Sequence, residues 1–171
     1  MQSAPRIRRA YFDCRFGQLH VHNAVPPGGG FDELTTVICL HGAGETGRVF
    51  LPALQVLGAD RTVFAPDLPG SGESDPAPGV DPAPAGAAAV TDFVSSMRIR
   101  RFDLVARGAG CDIAQHLAQS PDSGLRRVVL FTDSPGGQPP AALGARLAAT
   151  LSLADAPTPA LGKRLLEALG T

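Results

Sequence analysis

Apolar positions along the chain alternate, then cluster, in a rhythm that predicts strands and helices in turn. Arg9–Val25 reads as two strands folded about Phe16-Gly17. Within Leu19-His20-Val21-His22 the period of two puts Leu19 and Val21 on one face and both histidines on the other. Thr35–Leu40 (TTVICL) is an unbroken β-branched and apolar run, suited to a strand covered by helices on both faces. Thr62–Asp67, Phe102–Arg107 and Arg126–Asp133 repeat that signal.

Helical spacing separates these runs. It appears at Val49–Leu57, where Pro52 is tolerated only near the first turn, and again at Val90, Phe93, Val94 and Met97. Ile113, Ala114 and Leu117 form a third stripe, stopped by Ser120-Pro121. Leu68–Gly86 reads as a long irregular stretch, and Ser134-Pro135-Gly136-Gly137 as a turn. In the tail, Leu143/Leu147/Leu151 and Leu161/Leu165/Leu166/Leu169 are spaced for two further helices. Strand–turn–helix three times over, followed by another strand, predicts an α/β three-layer sandwich. Its sheet is mainly parallel, of about six strands, with an antiparallel N-terminal hairpin.

A length of 171 residues suits one core domain, here residues 1–139, with residues 140–171 as C-terminal helices. Fifteen basic against sixteen acidic residues leave a net charge of −1, which removes the electrostatic basis for nucleic-acid binding. Cys14, Cys39 and Cys111 are too widely spaced for a zinc motif and too few for a disulfide framework. The N-terminus is polar and basic, unlike a secretory signal, and no apolar run approaches the roughly 20 residues of a membrane span. A cytoplasmic protein with no membrane contact is the expectation.

Candidate chemistry begins with Gly42-Ala43-Gly44-Glu45-Thr46-Gly47, which matches the G-x-G-x-x-G dinucleotide fingerprint, with Asp67 placed as a ribose-binding acid. His41 between strand and glycines, the preceding hairpin and Pro52 all weigh against it. A phosphate-binding P-loop fails because Arg48-Val49 stand where lysine and a hydroxyl residue are needed. His20 and His22 share a strand face as a metal pair would, but the sequence offers no evident third ligand. No metal and no cofactor are therefore expected.

His41-Gly42 after one buried strand, then Asp67-Leu68-Pro69-Gly70-Ser71-Gly72-Glu73-Ser74 after the next, resemble the α/β-hydrolase superfamily over about residues 11–139. The resemblance implies a strand order 1-2-4-3-5-6. It also implies an oxyanion hole from the backbone N–H groups of Ala43 and Ala109, and a pocket bordered by His41, Gly42, Gly44 and Arg107. The family's strand-to-helix elbow, small-x-nucleophile-x-small, falls on Ala106–Gly110 and puts Gly108 in the nucleophile slot. Glycine has no side chain to attack a carbonyl. Cys111 falls on the following helix, where a structural role is expected, and His116 is expected partly exposed on that helix. The family's acid usually follows the seventh strand, in some branches the sixth, and Asp133 matches the latter. Its histidine follows the eighth strand, and no histidine lies beyond His116.

The expectation is a degenerate α/β-hydrolase-like protein, truncated after the sixth strand, that binds a small apolar ligand or a partner without triad chemistry. An atypical hydrolase of small esters, using the oxyanion hole and water with Asp133 or His41 as base, is the first alternative. Dinucleotide binding through Gly42–Gly47 is the second. An exposed edge on the sixth strand predicts that the tail helices fold over it, or that two chains form a homodimer through that edge or through the C-terminal helices as a remnant lid turned interface.

Overall fold

A computed structural model describes residues 4–29, 34–132, 140–152 and 159–170, with residues 159–161 as backbone only. Strands β1 (Arg6–Cys14) and β2 (Gly17–Val25) form the antiparallel hairpin that the alternation predicts, in register from Arg6↔Val25 to Cys14↔Gly17. β3 (Thr36–Leu40), β4 (Val63–Pro66), β5 (Phe102–Arg107) and β6 (Leu125–Thr132) run parallel to one another. β2 pairs antiparallel with β4 and so joins the hairpin to the parallel part of the sheet.

The helices lie on both faces because the strands are apolar on both. Val37 and Cys39 of β3 point to one side, where α1 (Leu51–Leu57) and α4 (Pro159–Leu169) pack with Leu54, Leu57, Leu165 and Leu169. Ile38 and Leu40 point to the other, against Phe93 of α2 (Pro82–Ser96) and Ile113 and Leu117 of α3 (Gly110–Ala118). A 3-10 turn over Gly47–Phe50 leads into α1, which places Pro52 in the first helical turn, where no N–H is missed. α2 starts inside the stretch read as irregular. Pro82 and Pro84 sit in its first turn, where their fixed φ favours the helix and the absent N–H groups have no intrahelical partner to lose.

The sheet has seven strands, in the order β1-β2-β4-β3-β5-β6-β7, where about six were expected. β7 (Leu147–Ser152) lies parallel to β6, with Leu130 opposite Thr150 and Phe131 opposite Leu151. The spacing of Leu143, Leu147 and Leu151 predicts a helix, and that expectation is corrected. The unpaired N–H and C=O groups along β6 gain more from a strand partner than these six residues gain from an isolated helix. The β6 edge is thus paired within the chain. A homodimer through the β6 edge is thereby corrected, whereas the pairing leaves the expected interface on the C-terminal helices untouched.

α4 is tied down at its C-terminal end as well as along its apolar face. Arg126 and Arg127 both donate to the Leu169 carbonyl, and the buried Arg61 donates to that of Gly170. Asp103, fully buried at the start of β5, holds Arg126 through two hydrogen bonds of 2.9 and 2.6 Å. Cationic groups at the negative end of the helix dipole satisfy its last carbonyls.

Because Leu165 is 0% exposed, Leu165→Ala is expected to lower unfolding stability by about 2–5 kcal/mol in urea titration. A loss under about 1 kcal/mol would mean that α4 is not docked as described.

Candidate functional site

The loops at the C-terminal ends of β3, β4 and β5 meet at one point. β5 ends at Arg107, and the chain turns through Gly108 at φ +52° before entering α3 at Gly110. Small residues are required on both sides. A Cβ at Gly110 would lie 2.5 Å from the Leu40 carbonyl oxygen, so the helix approaches β3 only because that atom is missing. Gly108 is exposed at the apex, facing the backbone of Gly42: a Cβ at 108 would meet the Gly42 Cα at 3.1 Å. The strand-to-helix turn is thus present, with glycine at its apex.

His41 locks the loop after β3 to the loop after β4. Its Nε2 accepts the Leu68 N–H at 2.9 Å, and its Nδ1 lies 2.8 Å from the Gly42 carbonyl. A neutral ring protonated on Nδ1 satisfies both contacts. Burial holds its pKa below the ordinary histidine value, against the opposing pull of the Gly42 carbonyl. With 1% exposure and both nitrogens engaged, His41 has no lone pair to offer water, so neither a base nor a pocket wall is available there.

Asp67, at the end of β4, is the hub. Its Oδ1 accepts the Gly47 N–H at 2.8 Å, and its Oδ2 accepts from His20 Nδ1 at 2.9 Å and from the Glu73 N–H at 3.1 Å. Burial raises the carboxyl pKa, but these donors together outweigh it and hold the group below the usual carboxylate range. Asp67 is 2% exposed and its lone pairs face its own chain, which removes it as a ribose ligand. Within Gly42–Gly47 the first and last glycine N–H groups bind Glu45 and Asp67. The dinucleotide reading therefore loses its acid and two of its phosphate donors.

Glu45 is the functional-site residue that the sequence reading passed over. Its Oε2 accepts the Gly42 N–H at 2.8 Å, and its Oε1 pairs with Arg107 at 2.7 Å, both side chains being about a quarter exposed. The signal was a carboxylate three residues after the glycine, a spacing from which a side chain reaches back to a free N–H, as in a capping box. Ala43 and Gly44, the latter at φ +72°, are exposed beside this pair. Among the described residues, neither Ala43 nor Ala109 donates to a backbone carbonyl in these turns.

Cys111 lies in the first turn of α3, as expected, with its thiol 3.8 Å from the Phe131 carbonyl; burial pushes its pKa up to about 11, against nucleophilic use. His116 is exposed on α3, away from the elbow. Asp133 lies outside the described residues. So does the segment after β7, residues 153–158, which carries Asp155.

A family model described as the alpha/beta hydrolase family matches residues 37–170. The chain belongs to the alpha/beta hydrolase family. No curated protein sequence matches significantly. Solved structures with the same fold include an epoxide hydrolase determined without ligand, with a TM-score of 0.65, 20% identity, and coverage of 74% of this chain and 42% of that one. An epoxide hydrolase from Vigna radiata matches with a TM-score of 0.64 at 18% identity, covering 73% of this chain and 38% of its own. A serine-to-glycine mutant of an N-acyl homoserine lactonase, complexed with N-hexanoyl homoserine lactone, matches with a TM-score of 0.62 at 24% identity, covering 73% and 45%. The chain thus spans about two-fifths of the length of these structures. Among the described residues no helix is long and apolar enough to cross a membrane.

Gly108→Ser is expected to yield no esterase activity and to destabilise the fold by about 1–2 kcal/mol, the cost of a side chain in the left-handed region. Ester turnover and urea unfolding check the two parts separately.

His41 and His22 both have pKa values lowered by burial, so the unfolded chain takes up their protons more readily than the folded one. Their contribution is intact above about pH 6.5 and is lost as pH falls below it; that of Asp67 is lost below about pH 4. Urea unfolding at pH 7.5 and 5.5 is expected to show the first loss, with a shallower dependence in His41→Ala. That variant itself costs about 1–3 kcal/mol, because it strands the Leu68 N–H and the Gly42 carbonyl.

Proposed function

We propose that this chain is a non-catalytic member of its family, binding a small apolar or acyl ligand, or a partner, at the exposed face around Gly108. The observation that carries the reading is the elbow itself: glycine at the apex, with the Gly42 backbone so close that a Cβ would fit only tightly. Covalent catalysis needs a nucleophile and a base within hydrogen-bond reach of it. Gly108 supplies no nucleophile, and His41 is consumed by the loops it joins. The lactonase complex supports the binding side, since in that neighbour a serine-to-glycine mutant holds an acyl lactone. The Glu45–Arg107 pair beside the apex adds one anionic and one cationic group to an otherwise small-residue surface.

The atypical hydrolase remains the second reading because the Ala43 and Ala109 N–H groups flank the apex without a backbone acceptor in the turns. Donors aimed at a developing oxyanion retain measurable catalysis even without a triad.

Two assays on the same purified protein separate the readings. A panel of activated esters should be hydrolysed no faster than by heat-denatured protein. N-acyl lactones and short esters should bind saturably in calorimetry, and Arg107→Ala should weaken binding several-fold. Saturable ester turnover that survives purification and is lost in Asp133→Asn would overturn the non-catalytic reading in favour of a water-based mechanism.

A further inference from the structure

The hairpin carries a second cluster, outside the elbow. His20 and His22 sit on one face of β2, and the antiparallel pairing of β2 with β4 brings Asp67 beside them, with the Asp67 N–H donating to the His20 carbonyl at 2.8 Å. The third ligand that the sequence did not reveal is therefore supplied by the loop after β4. One ring nitrogen of each histidine and a carboxylate oxygen of Asp67 all lie within 4.8 Å of one another, and all three residues are buried.

His22 decides what this cluster can do. Its side chain is 7% exposed and borders the cavity beside β1. Its Nε2 points at Asp67 Oδ1 from 4.0 Å, too far for a hydrogen bond. That oxygen accepts one N–H, from Gly47, and keeps a second lone pair on the side of His22. Two ligand atoms sharing a tetrahedral zinc ion stand about 3.4 Å apart, so closing the gap needs a shift of about 0.6 Å.

We propose that His20, His22 and Asp67 form a binding site for a divalent transition-metal ion of the zinc class, the ion replacing the proton shared by His20 Nδ1 and Asp67, with water as the remaining ligand. Two histidines and one carboxylate are a donor set suited to such ions, and calcium or magnesium would want more oxygens. The site opens beside His22 through a shallow cavity of about 280 Å³ lined by Ile7, Arg8, Arg9, His22, Arg48 and Leu51. Arg9 and Arg48 oppose a cation there, and Glu73, whose Oε2 lies 4.0 Å from His20 Nε2, favours one. The ion would staple β2 to the loop that His41 also holds, so its effect is on the stability of that loop rather than on chemistry at Gly108.

Cobalt(II) added to chelator-treated protein reports the geometry directly. The expected result is one equivalent bound, with the intense visible absorption of a tetrahedral cobalt site, displaced by zinc, and a raised melting temperature. His22→Gln, which breaks no hydrogen bond of the described structure, should fold normally and lose at least tenfold in affinity. Absence of a cobalt band in wild type, or an undiminished one in His22→Gln, overturns the site. A thiolate-to-cobalt charge-transfer band does so too, since it would put the metal on Cys14 or Cys111.

Discussion

One buried carboxylate orders the upper end of this sheet. Asp67 emerges from β4 and gathers three donors from three different parts of the chain: the His20 ring of the hairpin, the Gly47 N–H after the His-Gly turn, and the Glu73 N–H of its own loop. A charge inside a protein is tolerated only when it is fully solvated by such groups, and each donor is in turn fixed by having to serve it. His41 repeats the arrangement one strand over, with both ring nitrogens spent on backbone. The positions of Gly42 and Ala43 follow from these two anchors, and the anchors do not depend on what stands at position 108.

That independence leaves the strand-to-helix turn after β5 intact with glycine at its apex. Its geometry is built from β5 and α3 packing, from Gly110 against the Leu40 carbonyl, and from a left-handed residue at 108. Glycine adopts that conformation at no steric cost, whereas a side chain there stores strain. Glycine at 108 therefore leaves this turn unstrained. The neighbouring Glu45–Arg107 pair and the Glu45 hydrogen bond to Gly42 settle into the space beside it.

Much of this was legible in the sequence because it is local. Phe102–Arg107 is recognisable as a strand from its apolar run, and the hairpin from its period of two; both match the structure at or near their ends. The tail misled because leucines at intervals of four satisfy a helix as well as they satisfy nothing in particular, and the pull of the β6 edge is a property of the assembled sheet. α2 starts earlier than its apolar spacing indicates, because Pro82 and Pro84 take its first turn. At the site, the His-Gly turn and the D-x-P-G-x-G-x-S loop could be found as motifs. Which atoms they serve could not. That Asp67 faces His20 depends on the β2–β4 register, and that His41 is closed to water depends on Leu68 lying across from it.

The exposure of Gly108, Ala43 and Gly44 sets the dielectric environment of the flanking N–H groups. Peptide dipoles gain their strength from a surrounding medium that cannot reorient, and in contact with bulk solvent their field is compensated within a few ångströms. A donor pair in such a place discriminates weakly between a neutral carbonyl and an oxyanion, because water solvates the latter nearly as well. It still recognises a carbonyl by direction and shape.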